Sequence, residues 1–406
     1  MSEAVMNNNN DGAKRRDTRL LGVLFSQTGV LSIIEKTQQR AAMLALHEIN
    51  EAGGILGSPL RAISYDAASR IPRYGELAEE LMVRDGVKIM IGCYASSARK
   101  EVLPIVERHN GILFYPTLYE GFEYSSNVIY GGATPNQNSV PLAQYMTRNY
   151  GSRCYFVGSD YIYPRESNRV MRHIIRELGG EVVGERYLPL KAKSEQYKRI
   201  IEDIKKTRPE FIFSTVVGTG TVIFYQAYHE AFASVSRAPI CSLTTSEAEI
   251  YGMGAAAARG HITAAPYFQN LPTESSQRFV ARYRALYGDD AFVTSCGEAA
   301  YSQVHMLSLA MEQAASHDVA DIRSALYGIS FMAPQGPVRV DPENNHTYLH
   351  SRIAKVGDNC EYEVVSDLEV SIKPDPYLVV PNLNEWGDAW AMRGSPKNTG
   401  SSMDND

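Results

Sequence analysis

Short apolar runs and amphipathic stretches alternate along this chain in two successive series, and that alternation narrows the fold more than any other feature. Residues 20–25 predict a strand. Residues 36–51 carry Ala41, Met43, Leu44, Leu46 and Ile49 on one face and stop at Gly53-Gly54, as a helix should. A strand at 60–65, a helix at 74–84, a strand at 87–91, a helix at 97–110 and a strand at 112–114 follow. The second series places strands at 154–157, 181–187, 211–214 and 240–243. Its helices fall at 166–178, 194–206 and 222–232, with a short one from Ser246. Each unit takes roughly thirty residues, the rhythm of a parallel sheet covered by helices on both faces. The predicted fold class is therefore α/β, with two doubly wound parallel-sheet lobes joined by hinge crossovers. The chain's 406 residues suit two such units.

The turn-rich segment from Tyr130 to Asn138 reads as a hinge crossing. The C-terminal part is less regular. An amphipathic helix is expected at 298–315, and strands and turns near 336–345 and 352–356 return to the lobes. The expected organisation is a disordered segment at 1–18, a first lobe of 19–133 plus about 268–336, a second lobe of 134–267 plus about 337–390, and a disordered tail at 391–406.

Open α/β sheets bind ligands outside the carboxyl ends of their strands. One such end is Gly92-Cys-Tyr-Ala-Ser-Ser-Ala-Arg-Lys100, where a buried strand turns directly into a helix. A helix start presents unpaired N–H groups and suits an anion or a carbonyl oxygen, and serines there suit helix caps. Tyr94 adds an aromatic wall, and Ser96 and Ser97 add hydroxyls. Tyr115 and Thr117 follow the next strand, and Tyr161 and Tyr163 follow the first strand of the second lobe. All three clusters are predicted to face one cleft.

Several chemistries are absent from the sequence. It holds no GxSxG elbow, Walker A loop, HExxH or dinucleotide fingerprint. Gly218-Thr-Gly-Thr221 lacks phosphate-loop spacing and reads as a helix entry near the cleft. Glu247 and Glu249 read as acids favouring a helix start, with Glu247 also within reach of the cleft, where it would prefer an N–H donor or a cation. No enzyme, cofactor or metal site is expected. A net charge of −6 gives no reason to expect a nucleic-acid surface. No apolar stretch is long enough to span a membrane. The polar, Asn-rich start has no signal-peptide core, and five scattered cysteines form no CxxC pair. A reduced, cytoplasmic setting is the expectation.

Further long motifs are Tyr115-Pro-Thr-Leu-Tyr-Glu-Gly-Phe-Glu-Tyr124, Gly158-Ser-Asp-Tyr-Ile-Tyr-Pro-Arg-Glu-Ser-Asn168, Ser214-Thr-Val-Val-Gly-Thr-Gly-Thr221, Leu243-Thr-Thr-Ser-Glu-Ala-Glu249 and Ala333-Pro-Gln-Gly-Pro-Val-Arg-Val340. With the 92–100 junction, these make the chain resemble the type I periplasmic-binding-protein family over about residues 19–390. Within it, the chain is most similar to the cytoplasmic amide sensors that negatively regulate aliphatic amidase operons. Urea- and short-amide-binding subunits of ABC importers share weaker versions of several motifs. The resemblance implies a receptor that closes on a small neutral, acetamide-like ligand and controls an RNA-binding transcription antiterminator. It also suggests self-association as a homo-oligomer. Carried over by motif, Ser96 would hold the ligand through its hydroxyl and N–H, and Thr117 would add a second hydroxyl. Tyr94 and Tyr115 would wall the pocket, and Tyr161 and Tyr163 would close on it. Leu118, Thr245 and Glu247 are further candidates for its lining. Two positions depart from the sensor pattern: Leu118 stands in place of Pro, and Cys296 in place of Trp. The alternative expectation is a solute-binding component of a urea, short-chain amide or branched-chain amino-acid ABC transporter.

Overall fold

The computed structural model describes residues 19–232 and 237–378; the expected segments 1–18, 379–390 and 391–406 lie outside the described residues. The first series folds as β1 (Arg19–Leu24), α1 (Ser32–Glu51), β2 (Leu60–Tyr65), α2 (Ile71–Glu79), β3 (Ile89–Gly92), α3 (Ser96–Arg108), β4 (Ile112–Tyr115) and β5 (Val128–Tyr130). Its five strands are parallel in the order β2-β1-β3-β4-β5. Every residue of β3 and β4 is buried, as a parallel sheet covered on both faces requires. The helix expected at 74–84 is α2 continued by a π turn over Glu80–Arg84, where the Asp85 N–H reaches back to the Glu80 carbonyl at 3.2 Å. α1 ends where Gly53 and Gly54 take positive φ, and a Cβ on Gly54 would lie 2.3 Å from the Ser58 carbonyl oxygen.

The second series comprises α4 (Pro135–Asn149), β6 (Arg153–Ser159), α5 (Ile162–Glu177), β7 (Glu181–Leu188), α6 (Ser194–Thr207), β8 (Phe211–Thr215), α7 (Thr219–Ala231), β9 (Ile240–Ser242), α8 (Glu247–Met253), α9 (Ala255–Ala258) and β10 (Ile262–Ala265). The chain then returns to the first lobe with α10 (Glu274–Tyr287), α11 (Ser295–Ala314) and α12 (Val319–Leu326). These are followed by a small antiparallel sheet of β11 (Ser330–Ala333), β12 (Gly336–Val340) and β13 (Thr347–Tyr348). β14 (Arg352–Val356) and β15 (Tyr362–Asp367) complete a seven-stranded sheet in the order β15-β14-β10-β9-β8-β6-β7. β14 is its one reversed strand, antiparallel to both β10 and β15.

The second crossing back differs from expectation. Residues 337–349, expected in the second lobe, pack with the first: Val338, Val340 and Leu349 share one buried cluster with Leu21, Ile91 and Leu307. Their apolar side chains alternate along β12 and fill a gap beside α11, so the boundary falls just before β14. The segment expected as a hinge ends β5 and begins α4, where the Thr134 N–H donates to Gln137 Oε1 at 2.9 Å and caps the helix. Gln137 also donates to the carbonyls of Thr347 and Ile372 at 3.0 and 2.9 Å. The Thr347 hydroxyl donates to the Tyr130 carbonyl at 2.8 Å. Neighbouring crossings are thus fastened to each other. Among the described residues no helix is long and apolar enough to cross a membrane.

Candidate functional site

The cleft lies where the carboxyl ends of β3, β4 and β5 face those of β9 and β10. Two adjoining cavities occupy it, each with about 30 Å³ of space for water-sized groups. They share Leu118, Leu243, Ala265, Ser295 and Cys296. One reaches Tyr94, Thr245, Glu247 and Tyr267, and the other reaches Asn138 and Gln335. Neither lining contains Lys, Arg or His, and Glu247 is the one carboxylate in the two linings. The lobes are closed over them. The Thr219 N–H donates to the Val30 carbonyl at 3.2 Å, and a Cβ on Gly218 would lie 2.4 Å from that same oxygen. Gly218-Thr-Gly-Thr221 therefore enters α7 at the cleft rim. Tyr251 stacks on Phe292 across the gap at 5.3 Å.

On the first lobe, Cys93 takes a positive φ of 68° and turns the chain so that Tyr94 enters the cleft. Tyr161, Tyr163, Cys296 and Glu249 surround the Tyr94 phenol, and burial raises its pKa well above the usual phenol range. The serines do not cap α3: its N-cap is Ala95, without a side-chain bond. The Ser96 hydroxyl instead donates to Glu120 Oε2 at 2.7 Å. The Thr117 hydroxyl donates to the Cys93 carbonyl at 3.3 Å and accepts from Gln38 Nε2 at 3.1 Å. Tyr115 stands one layer behind the cavities. Its hydroxyl donates to the Tyr94 carbonyl at 2.8 Å, and its ring lies 4.7 Å from the Arg99 guanidinium.

On the second lobe, Tyr161 immediately precedes α5 and packs against the buried clusters of both lobes. The Tyr163 ring lies 6.4 Å from it. The Tyr163 hydroxyl is buried near Ser167 without a well-formed hydrogen bond; of the expected site residues, Tyr94, Leu118, Thr245 and Glu247 line the two cavities, whereas Ser96, Tyr115, Thr117, Tyr161 and Tyr163 do not. Thr245 shares a 3.1 Å hydrogen bond with the Tyr225 hydroxyl. Glu249 accepts from the Ser246 N–H and hydroxyl at 2.9 and 2.6 Å, a capping box. Glu247 does not join it; it accepts the Gln269 N–H at 3.0 Å, and burial pushes its pKa up to about 7. No group of three or more His, Cys, Asp or Glu among the described residues is placed to hold a metal.

Sequence reading missed the layer beneath these residues. Arg99 is fully buried and binds Glu120 at 2.8 Å and Glu123 at 2.7 Å. Both Arg99 and Glu120 sit inside the quoted motifs, and Ser96 and Arg99, three apart, share a face of α3. The signal was present in that spacing, but the partner lies more than twenty residues away in sequence. Ile34, Thr294 and Phe268, which line the Tyr94 cavity, carry no distinguishing pattern.

The sequence profile of a periplasmic binding protein domain matches residues 20–382. A Leu/Ile/Val-binding protein homologue of Brucella melitensis is 25% identical over 296 residues, 70% of this chain and 75% of that protein. The leucine-, isoleucine-, valine-, threonine- and alanine-binding protein of Pseudomonas aeruginosa is 21% identical over 343 residues, 81% of this chain and 87% of its own. Among solved structures, an ABC-transporter solute-binding protein of Rhodopseudomonas palustris in complex with benzoate superposes with a TM-score of 0.79 at 16% identity, covering 89% of this chain and 99% of its own. LivJ of Streptococcus pneumoniae, bound to isoleucine, gives a TM-score of 0.76 at 16% identity, with 88% and 100% covered. These structures share the fold: two parallel-sheet lobes about a ligand cleft.

Proposed function

Because the chain belongs to the periplasmic-binding-protein family, we propose that it is a receptor whose lobes close on a small neutral amide, of the type represented by the AmiC amide sensors. The observation that carries this reading is the closed interlobe cavity with no basic residue in its lining. A carboxylate ligand such as benzoate, or the carboxylate end of an amino acid, needs a cation or a dense set of N–H donors. A primary amide needs a donor for its oxygen, acceptors for its N–H groups and little room. The space available fits a molecule of only a few heavy atoms. In this reading Ser96, Thr117 and Tyr94 hold the amide from the first lobe, with Tyr115 behind them. Tyr161 and Tyr163 close from the second lobe, and Leu118, Thr245 and Glu247 complete the wall. The protein binds without turning its ligand over. It acts in the cytoplasm, where closure controls an RNA-binding antiterminator of amidase expression. The five cysteines, all free thiols, fit a reducing compartment.

A second reading is favoured by the similar proteins, whose names and ligands are those of solute-binding proteins, including ones for benzoate and branched-chain amino acids. Here the chain would be the binding component of an importer for an amino acid, urea or a short amide, with Glu247 as ammonium partner for an amino acid.

Calorimetric titration with acetamide, propionamide, butyramide, urea, leucine and benzoate separates the two. The amide reading expects weak, saturable acetamide binding. At about −1.5 kcal/mol per heavy atom, acetamide's four atoms set a bound of roughly −6 kcal/mol, so Kd is no tighter than tens of micromolar. Such a ligand switches a partner only when open and closed forms lie within a few kcal/mol. Tight leucine or benzoate binding with no amide response overturns the amide assignment in favour of the importer.

A further inference from the structure

Two hydroxyls assigned to the ligand have their hydrogens already committed. A hydroxyl has one hydrogen to give and two lone pairs to receive. Ser96 Oγ lies 2.7 Å from Glu120 Oε2, and Thr117 Oγ1 lies 3.3 Å from the Cys93 carbonyl. Neither acceptor can donate: one is a carbonyl, and the other is a carboxylate paired with Arg99. The Tyr115 hydroxyl, also near Ser96, spends its own hydrogen on the Tyr94 carbonyl. The charged carboxylate is the stronger competitor for the Ser96 hydrogen.

The carboxylate cannot drift from this task. Arg99 Nη2 holds Glu120 Oε1 at 2.8 Å, and Arg99 Nε is itself held by Glu123 at 2.7 Å. The rings of Tyr115 and Tyr119 lie 4.7 and 5.3 Å from the guanidinium carbon. Arg99 is 0% and Glu120 2% exposed, so no solvent exchange loosens the pair.

We propose that Glu120 is a positioning residue that fixes the Ser96 hydrogen, so that the first lobe meets its ligand with hydroxyl lone pairs and selects primary amides and urea over the isosteric carboxylates. This rests on reading the cleft as an amide site. An amide N–H donates to those lone pairs. Acetate, with the same shape, places a second acceptor oxygen against them and is rejected by its unpaired contact. The nearby helix N-terminus, which favours an anion on its own, is thereby overruled for one of the two ligand positions.

The test is calorimetric titration of the full-length protein with acetamide and with sodium acetate at pH 7, in wild type, Glu120→Gln and Ser96→Ala. Wild type is expected to prefer acetamide by at least about tenfold. In Glu120→Gln the side-chain oxygen stays with Arg99 and the amide nitrogen turns to Ser96. The Ser96 hydrogen is then free to meet an acceptor, and the acetamide-to-acetate ratio is expected to fall about tenfold. Ser96→Ala keeps the Glu120–Arg99 charge and removes only the hydroxyl; the ratio is again expected to fall. Equal weakening of both ligands in the variants, or a ratio that moves in Glu120→Gln but not in Ser96→Ala, overturns the proposal and leaves Glu120 a structural or purely electrostatic residue. If Glu120→Gln does not fold, Ser96→Ala decides alone. A wild type that binds acetamide and acetate equally overturns the hydroxyl argument while sparing the amide site. A wild type that binds no amide overturns both.

Discussion

Ser96 and Thr117 on the first lobe are tied down by partners of their own lobe, whereas on the second lobe Glu247 lines the cleft with the Gln269 N–H as its partner and the buried Tyr163 hydroxyl has no well-formed bond. The carboxylates show the same contrast. Burial alone would raise the Glu123 pKa, but Arg99 and Lys100 outweigh it and hold the group below its usual value. Burial meets no cation at Glu247 and raises it to about 7. One jaw is assembled before the ligand arrives, and the other is completed by it. If the ligand is the proposed small amide, this division suits it, because four heavy atoms leave little binding energy to order both faces.

Breaking the preassembled jaw should have the largest effect. Arg99→Met leaves Glu120 buried without its cation, while Glu123 keeps Lys100, and about 3–5 kcal/mol of folding stability should be lost. A urea denaturation midpoint measures it, and a loss under about 1 kcal/mol would show that the two jaws are equally dispensable. Next comes the acid of the other jaw. The folded protein keeps a proton on Glu247 to about pH 7, while the unfolded chain releases it near 4.5. The resulting stabilisation is complete below about pH 4.5, is lost as pH rises to about 7 and is flat above that. Its full size is up to about 3 kcal/mol. Glu247→Gln should remove that portion of the slope. Glu249, raised to about 8 by burial, should leave a residual slope. An unchanged stability-against-pH curve between 4.5 and 7 would mean that Glu247 is hydrated rather than buried.

A smaller effect is expected at Tyr163. Because its hydroxyl has no well-formed bond in the closed molecule, Tyr163→Phe should change stability by no more than about 0.5 kcal/mol. It should weaken acetamide binding by about 0.5–1.5 kcal/mol, the value of one hydrogen bond. A stability loss equal to the affinity loss would place the hydroxyl's partner in the protein and erase the contrast between the jaws.

The outline of both sheets could be read from the chain because parallel strands buried on two faces leave unbroken apolar runs, as in Ile89–Gly92 and Phe211–Thr215. Two short strands left no such trace: Val128–Tyr130 and Ile262–Ala265 are defined by their neighbours in the sheet. The stretch 336–345 reads as strands and turns and does hold Gly336–Val340, but it packs with the first lobe rather than the second, and the two-residue strand Thr347–Tyr348 lies beyond it. At the cleft, the strand-end tyrosines and serines were visible. Their hydrogen-bond assignments were not. Glu120 sits between Tyr119 and Gly121 and looks like a surface turn acid. Its burial depends on Arg99, which the sequence alone offers only as a helix residue among Ser97, Ala98 and Lys100.

Leu118 supplies the smallest prediction and the one that bears on ligand size. It is one of five wall residues common to both cavities. Its side chain packs with Tyr163 and Leu243 of the second lobe, so it belongs to the first jaw by backbone and to the second by contact. Leu118→Ala removes apolar volume without touching Ser96, Thr117 or the Glu120–Arg99 pair. The preference should therefore shift from acetamide toward propionamide by about 0.8 kcal/mol, the worth of one buried methylene, or roughly fourfold in relative affinity. The acetamide-to-acetate ratio should stay where it was, because that ratio is set by hydrogens rather than by room. If both ratios moved together, size and polarity would be read by the same side chains, and the separation of the two jaws would fail.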